Sequence, residues 1–385
     1  MHRTLYRRDG PREGPACRLA AVGDLMLSGD VARRHRPELG PVDLFDEIAP
    51  TLRSGDIVFG NLETPLCSPG VERVLFRGHP AMAPVLASAG FNVLSLANNH
   101  ILEYGPEGLQ SSVDLVSGNG IAVLGAGRDQ EAARRPVIRE CNGLRVGLLG
   151  FGRTLQTQNN PRAAGFVEWD EDAAVRAVRE LRDAVDVVVV SIHIGFMWID
   201  YPNPAFKRAA DRLMAEGAHV VLMHHAHVLQ GYAVEGGRLA VYNLGNFIAD
   251  IYEGETGVTP VPERQMESAI FLIDLDRRGV VEMSVVPIAI TPDLTVKVAP
   301  DGQALLIIQR LERIAGEISS GEYLGAFARQ RAELNTGNIL AWLAVHLRRG
   351  HWRELATNML RARPEHLGML ARFAGRKLET LWKRH

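Results

Sequence analysis

Val93-Leu94-Ser95-Leu96-Ala97-Asn98-Asn99-His100 is an apolar run that breaks into two amides and an imidazole, and Val220-Val221-Leu222-Met223-His224-His225-Ala226-His227 repeats the plan with three histidines. Each reads as a buried strand spilling into a loop, the place where an α/β fold presents ligand-binding groups. The same pattern closes Ala21-Val22-Gly23-Asp24, Phe59-Gly60-Asn61-Leu62-Glu63 and Ser191-Ile192-His193. A borderline divalent ion takes this mixture of oxygen and imidazole donors. Five such strand ends predict one assembled site.

Outward from these ends the chain alternates. Strand-like runs at 18–22, 57–59, 91–96, 121–124, 144–151, 186–192 and 219–223 are separated by helical spacing at 43–52, 81–89, 106–117, 171–184 and 204–216. Four consecutive valines, Val187 to Val190, mark a strand covered on both faces. Later runs pair through tight turns: 228–234 with 239–244 across Gly236-Gly237, and 269–276 with 280–290 across Arg277-Arg278-Gly279. Alternation followed by hairpins predicts a mixed α/β (α+β) fold, two stacked sheets with helices outside. From about Asp301 long helical patterns take over, and a separate, basic helical region is expected over 298–385.

With 385 residues, 46% hydrophobic and 23% charged, the chain can bury a large core. A formal net charge of -2 argues against a nucleic-acid partner. Cys17, Cys67 and Cys141 are distant and odd in number, which offers no disulfide framework. Residues 1–17, rich in Arg, Gly and Pro, have no apolar segment of signal-peptide type and read as a disordered leader. No run reaches the ~18–20 apolar residues of a membrane span. The expected location is therefore cytoplasmic. Basic residues from Arg348 to Arg384, interleaved with Trp352, Phe373 and Trp382, offer a peripheral contact with the inner face of a membrane, against the simpler reading of a solvated helical cap.

Six blocks carry a family resemblance over roughly 18–290. They are Gly23-Asp24-Leu25-Met26-Leu27, Gly55 to Leu66, Ala89-Gly90-Phe91-Asn92-Val93 leading into Asn98-Asn99-His100, Ser191-Ile192-His193-Ile194-Gly195, His224 to Gln230, and Tyr242-Asn243-Leu244-Gly245-Asn246-Phe247. In this order they resemble the CapA family, also called PgsA, of capsule or poly-γ-glutamate synthesis proteins. The resemblance implies a four-layer αββα metallophosphatase-like sandwich, a domain over 18–297, and an anionic polymer or peptide as substrate. It places Asp24 at the first-motif aspartate and Glu63 at the second-motif position. Asn99 would bind metal through its amide oxygen, with His100 facing the leaving group. His193, His225 and His227 match the later histidine ligands. The chain departs from the pattern at Met26, where a histidine is usual, at Glu103 for Asp, at Ala226 for Pro and at Met223 for Gly. Many relatives carry an N-terminal membrane anchor, and none is expected here.

Asp24, Glu63, Asn99, His193, His225 and His227 together supply three oxygen and three nitrogen donors, enough for one or two ions of Mn, Zn or Fe. Such ions lower the pKa of water toward neutrality, and His100 with Asp24 would complete the catalytic set. His225 and His227, spaced i and i+2, share one side of an extended segment, while His224 points away and belongs behind the ligands. Asn61, Asn98, Glu103, Asn243 and Asn246 are the remaining second-layer or substrate candidates, with Asn243 and Asn246 also readable as plain turn formers. Trp198, Tyr201 and the Asn203-Pro204 turn are candidate groove walls. Three functions stay open: a metal-dependent hydrolase, a metal-independent acid/base enzyme on a peptide, and a non-catalytic, membrane-associated subunit of a polymer synthase.

Overall fold

The computed structural model describes residues 1–35, 42–68, 76–153, 165–249 and 263–348, with side chains described as far as 335. Its strands are β1 (Arg3–Arg7), β2 (Cys17–Leu25), β3 (Ile57–Leu62), β4 (Val93–Ser95), β5 (Ala122–Leu124), β6 (Val137–Cys141), β7 (Leu144–Gly152), β8 (Val187–His193), β9 (Val220–His224), β10 (Tyr232–Glu235), β11 (Arg238–Val241), β12 (Asn246–Ile248), β13 (Glu267–Asp276), β14 (Gly279–Ile290) and β15 (Val296–Val298). The helices are α1 (Gly29–Arg34), α2 (Ala49–Leu52), α3 (Met82–Ala89), α4 (Gly105–Gly118), α5 (Gln130–Arg134), α6 (Glu171–Arg182), α7 (Pro204–Ala215), α8 (Asp301–Ser320) and α9 (Tyr323–Arg348).

Two sheets result. One runs β1-β14-β13-β2-β3-β4-β5, with β12 beside β2 and β15 beside β14; the other runs β10-β11-β9-β8-β7-β6. In the centre of each, β2-β3-β4 and β7-β8-β9 are parallel. Their loops therefore leave from the same end of each sheet. The sheets face one another across a core in which Leu19, Phe59 and Phe271 of the first meet Leu148, Val189 and Leu222 of the second. The far face of the first sheet is covered by Leu86 of α3 and Leu109 and Val116 of α4. Helices α6 and α7 lie on the far face of the second. Gly147 allows the close approach there, since a Cβ on it would stand 2.8 Å from Leu181 of α6. The order helix, sheet, sheet, helix is the four-layer α/β arrangement expected.

Local chemistry explains the boundaries. Asp170 caps α6 by accepting from the Ala173 N–H, and Glu171 and Asp172 against Arg179 and Arg182 complement the helix dipole. Asn203 caps α7 just before Pro204. The β10–β11 hairpin turns on Gly236 and Gly237, whose φ of 56 and 77° suit a two-residue loop.

Three expectations are corrected. The leader is ordered in part: β1 pairs antiparallel with β14, Arg8 forms a buried ion pair with Asp276, and Arg12 reaches Asp274 at 2.7 Å. Arginines that look solvated in the sequence find carboxylates at the end of β13. The helix expected over 43–52 is regular only at Ala49–Leu52, with turns before it. The domain boundary at 297 also moves. The chain divides into Met1–Asp250 with Glu263–Tyr323, and Ile251–Pro262 with Leu324–His385. Helix α8 belongs to the first unit because Ala304, Ile307, Ile308 and Leu311 join the core between the sheets. In the second unit the described part is helix α9. The basic stretch beyond Arg348 lies outside the described residues. Among the described residues no helix is long and apolar enough to cross a membrane.

Candidate metal centre

The parallel strands deliver the predicted residues to one end of the two sheets. Asp24 is the last residue but one of β2, Asn61 lies in β3 with Glu63 just beyond it, and Asn98, Asn99 and His100 follow β4. From the second sheet come His193, the last residue of β8, and His224, the last of β9. His225 and His227 then adopt left-handed backbone, φ 90 and 58°, a conformation uncommon for residues other than glycine and concentrated at functional sites. Their convergence thus comes from two re-aimed residues rather than from the period of an extended strand. The Trp198 N–H, donating to the Ala226 carbonyl at 2.8 Å, ties this turn to the loop after β8.

Four donor atoms from distant parts of the chain meet. His193 Nε2 lies 2.7 Å from Asn99 Oδ1, 3.1 Å from His225 Nδ1 and 3.4 Å from Glu63 Oε1. Asn99 Oδ1 is also 3.2 Å from His225 Nδ1. Such separations match neighbouring ligands around an ion with bonds of ~2.0–2.2 Å. A second set shares Glu63: Asp24 Oδ2 is 3.4 Å from His227 Nδ1, whose Nε2 is 3.8 Å from Glu63 Oε1. Both groups, Glu63-His193-His225 and Asp24-Glu63-His227, have the compactness of metal sites. The decisive feature is Glu63. Both its carboxylate oxygens are buried and accept no hydrogen bond. A buried carboxylate without donors is costly unless a cation completes it, so the residues present fit a divalent ion, with Glu63 between the two groups.

The bacterial capsule synthesis protein model, PGA_cap, matches residues 18–251, the segment that holds every one of these donors. The chain belongs to the PGA_cap family. Among its relatives are the capsule biosynthesis protein CapA of Bacillus anthracis, 28% identical over 299 residues (72% of this chain, 69% of the relative), and the PGA biosynthesis protein CapA of Bacillus subtilis, 27% identical over 279 residues (70% of each). A probable polyglutamine synthesis accessory protein of Mycobacterium tuberculosis is 29% identical over 220 residues, 52% of this chain and 57% of its own. Solved structures with a similar fold include a calcineurin-like phosphoesterase from Bacillus subtilis (TM-score 0.42, 14% identity, 79% of this chain and 98% of that one) and a 5'-nucleotidase precursor from Thermus thermophilus (TM-score 0.39, 16% identity, 79% of this chain). The chain spans 59% of the latter.

In this PGA_cap member the electrostatics of the donors diverge. Burial favours a neutral Asp24, but hydrogen bonds with His224 and His227 and the nearby imidazoles overcome it and hold Asp24 well below the usual carboxylate range. Burial, then the charge of Asp24, lifts Glu63 well above that range. Burial pushes His193 down, and it pushes His225 down to about 3 with smaller contributions that include His227 and Arg153. His227 goes up to about 9: burial opposes this, and Glu63 and Asp24 outweigh it.

Around the donors the remaining predicted residues take definite jobs. Asn61 Nδ2 donates to Asp24 Oδ1 at 2.9 Å and lies 3.1 Å from His193 Nδ1. Asn98 accepts from the His100 and Ile101 N–H groups and donates to the Leu62 carbonyl, which shapes the loop that presents Asn99. His100 Nδ1 is 2.5 Å from Glu103 Oε1, its Nε2 faces Glu63 Oε1 at 3.6 Å, and its ring stacks on Phe76. Asn246 Oδ1 meets His227 Nδ1 at 2.9 Å. That contact, with the amide held by its donation to the Gln265 carbonyl at 3.2 Å, makes Asn246 more than a turn former.

The Nδ1 of His224 lies 3.1 Å from Asp24 Oδ1, behind the ligand face. Asn243 accepts from the Gly245 N–H and makes a turn, apart from the donors. Tyr201 turns its hydroxyl to Arg313 of α8 and not to a groove. Met26 lies in the core against the outer helices. The Asp24-Glu63-His227 group therefore has three protein donors, against four in the group containing Asn99. Phe76, and Arg153 at the end of β7, carried no signal in the sequence, because their roles arise only from neighbours in space.

Proposed function

We propose that this chain is a metal-dependent hydrolase acting on an anionic polymer or peptide of the poly-γ-glutamate or capsule type. The observation that carries the reading is Glu63, a buried carboxylate without donors between two compact sets of oxygen and nitrogen ligands. Asp24, Glu63 and His227 would hold one ion, and Glu63, Asn99, His193 and His225 a second; the mixed donors suit Mn, Zn or Fe. When bound, the ions supply Lewis acidity and bring the pKa of a water nucleophile toward neutrality.

The chain's own groups do the rest. Asn246 Oδ1 accepts from Nδ1 of His227 and so orients that ring, as ligand histidines generally require, while the Asn61 amide donates to Asp24 Oδ1 and holds the carboxylate. Glu103 takes Nδ1 of His100 and so leaves Nε2, on the Glu63 side, to carry a proton to the leaving group. The Phe76 ring against the imidazole fixes its plane.

The test begins with chelator-stripped protein reloaded with Mn, Zn or Fe. Elemental analysis is expected to give up to two ions per chain. Reloaded protein is expected to hydrolyse p-nitrophenyl phosphate or its bis-ester, and His225→Ala and His193→Ala to lose both metal and turnover. Equal turnover by stripped His225→Ala would overturn the reading.

A further inference from the structure

Gly152, His193 and His224 lie level across β7, β8 and β9. The next residue of each strand stands at the rim of the metal centre: Arg153, Ile194 and His225. Ile194 is buried. Arg153 and His225 flank it, two strand spacings or about 10 Å apart across the sheet.

The Arg153 N–H donates to the His193 carbonyl at 3.2 Å, so the position of Arg153 is tied to a candidate ligand. Its side chain is exposed, and its guanidinium carbon lies 6.0 Å from the centre of the Phe206 ring. An aromatic face limits a guanidinium's freedom without consuming its fork of donors. Among the described residues no carboxylate pairs with it. The rim thus carries an exposed guanidinium beside an aromatic ring, with no carboxylate partner among the described residues.

We infer that Arg153 is a specificity-determining residue that receives a second oxyanion of the substrate, one group removed from the bond at the metal centre. The inference rests on the hydrolase reading for its substrate and deepens it: the preferred ligand carries at least two oxyanions. Carboxylates of a γ-linked glutamyl chain and phosphates of a polyphosphate share this chemistry. A planar guanidinium meets either in a two-pronged geometry.

Calorimetric titration of Mn-loaded protein with γ-linked tetraglutamate, tripolyphosphate and inorganic phosphate separates these cases. Arg153→Ala is expected to keep its metal content and melting temperature while weakening at least one polyanion about tenfold, with inorganic phosphate weakened less. Arg153→Lys should recover part of the loss, since it keeps the charge and lacks the fork. An effect on tetraglutamate alone identifies carboxylates as the second group, and an effect on tripolyphosphate alone identifies phosphates. Equal polyanion affinity in the wild type and Arg153→Ala, or no polyanion binding by the Mn-loaded wild type, overturns the inference. Mn-loaded protein that binds polyanion through Arg153 but hydrolyses no ester would sink the hydrolase reading and leave this one standing.

Discussion

Glu63 Oε1 stands 3.4 Å from Nε2 of His193, across the gap between the two sheets, and neither oxygen of that carboxylate has a hydrogen-bond donor. A group that folding has placed at such cost has its compensation elsewhere, and the surrounding ligand atoms point to a cation. Glu63→Gln separates the two terms. Burial already favours a neutral group here, so the metal-stripped variant should be as stable as wild type or more stable by about 1 kcal/mol in urea unfolding. Its Mn affinity should fall by at least about 100-fold, because both ligand sets lose a member. Unchanged Mn binding would show that Glu63 is no ligand.

His100 and Glu103 are a pair in which geometry assigns the roles. With Nδ1 on Glu103 at 2.5 Å, the imidazole offers Nε2 to the centre. His100→Gln is expected to lower kcat by about 10²–10⁴-fold at unchanged metal content. Glu103→Gln is expected to lower kcat less than His100→Gln does, since the amide oxygen can still accept from Nδ1. A Glu103→Gln enzyme with wild-type kcat would remove that residue from the mechanism.

Gly23 precedes Asp24 where β2 runs against the turn before β12. A Cβ there would collide with the Gly245 carbonyl and approach the Leu244 carbonyl to 2.9 Å. The Asp24 N–H donates to that same Gly245 oxygen at 2.9 Å. Gly23→Ala must therefore displace the backbone carrying Asp24. The expected loss is about 3 kcal/mol of stability, measured by chemical unfolding, together with weakened Mn binding. A variant with native stability would mean that the β2–β12 contact is looser than described.

His219 predicts an acid-sensitive step remote from the ligands. Its Nδ1 accepts from the Val188 N–H at 3.0 Å, which requires the neutral ring, and burial pushes it from 6.5 down to about 4, with Arg238 adding. Between these values the unfolded chain binds a proton that the folded chain excludes. Stability from this group is complete above about pH 6.5 and falls as pH drops toward 4, by about 2 kcal/mol between pH 7 and pH 5. His219→Gln, which can still accept through its amide oxygen, should lose that much less over the same interval. Equal losses in both proteins would assign the sensitivity elsewhere.

Much of this molecule was legible in one dimension. The four valines of β8, the alternation of apolar runs with 3.6-period stretches and the Gly236-Gly237 turn specify elements by local rules, and the strand-end residues named the candidate donors that the two sheets bring together. What escaped had no local signature. Arg8 and Arg12 look like parts of a disordered leader until Asp276 and Asp274 stand opposite them, and α8 looks like the start of a separate region until its apolar face meets the gap between the sheets.

The sequence by itself determined the layered α/β class and the chemical identity of the donors, because periodicity and side-chain type are properties of neighbours along the chain. Only the tertiary structure decided that Glu63 belongs to both compact donor groups, that His225 and His227 are re-aimed by left-handed backbone, and that Arg153 follows the strand end beside His193. Those relations depend on strand register, on φ angles and on distances between residues far apart in the chain, and they exist only once the two sheets are brought face to face.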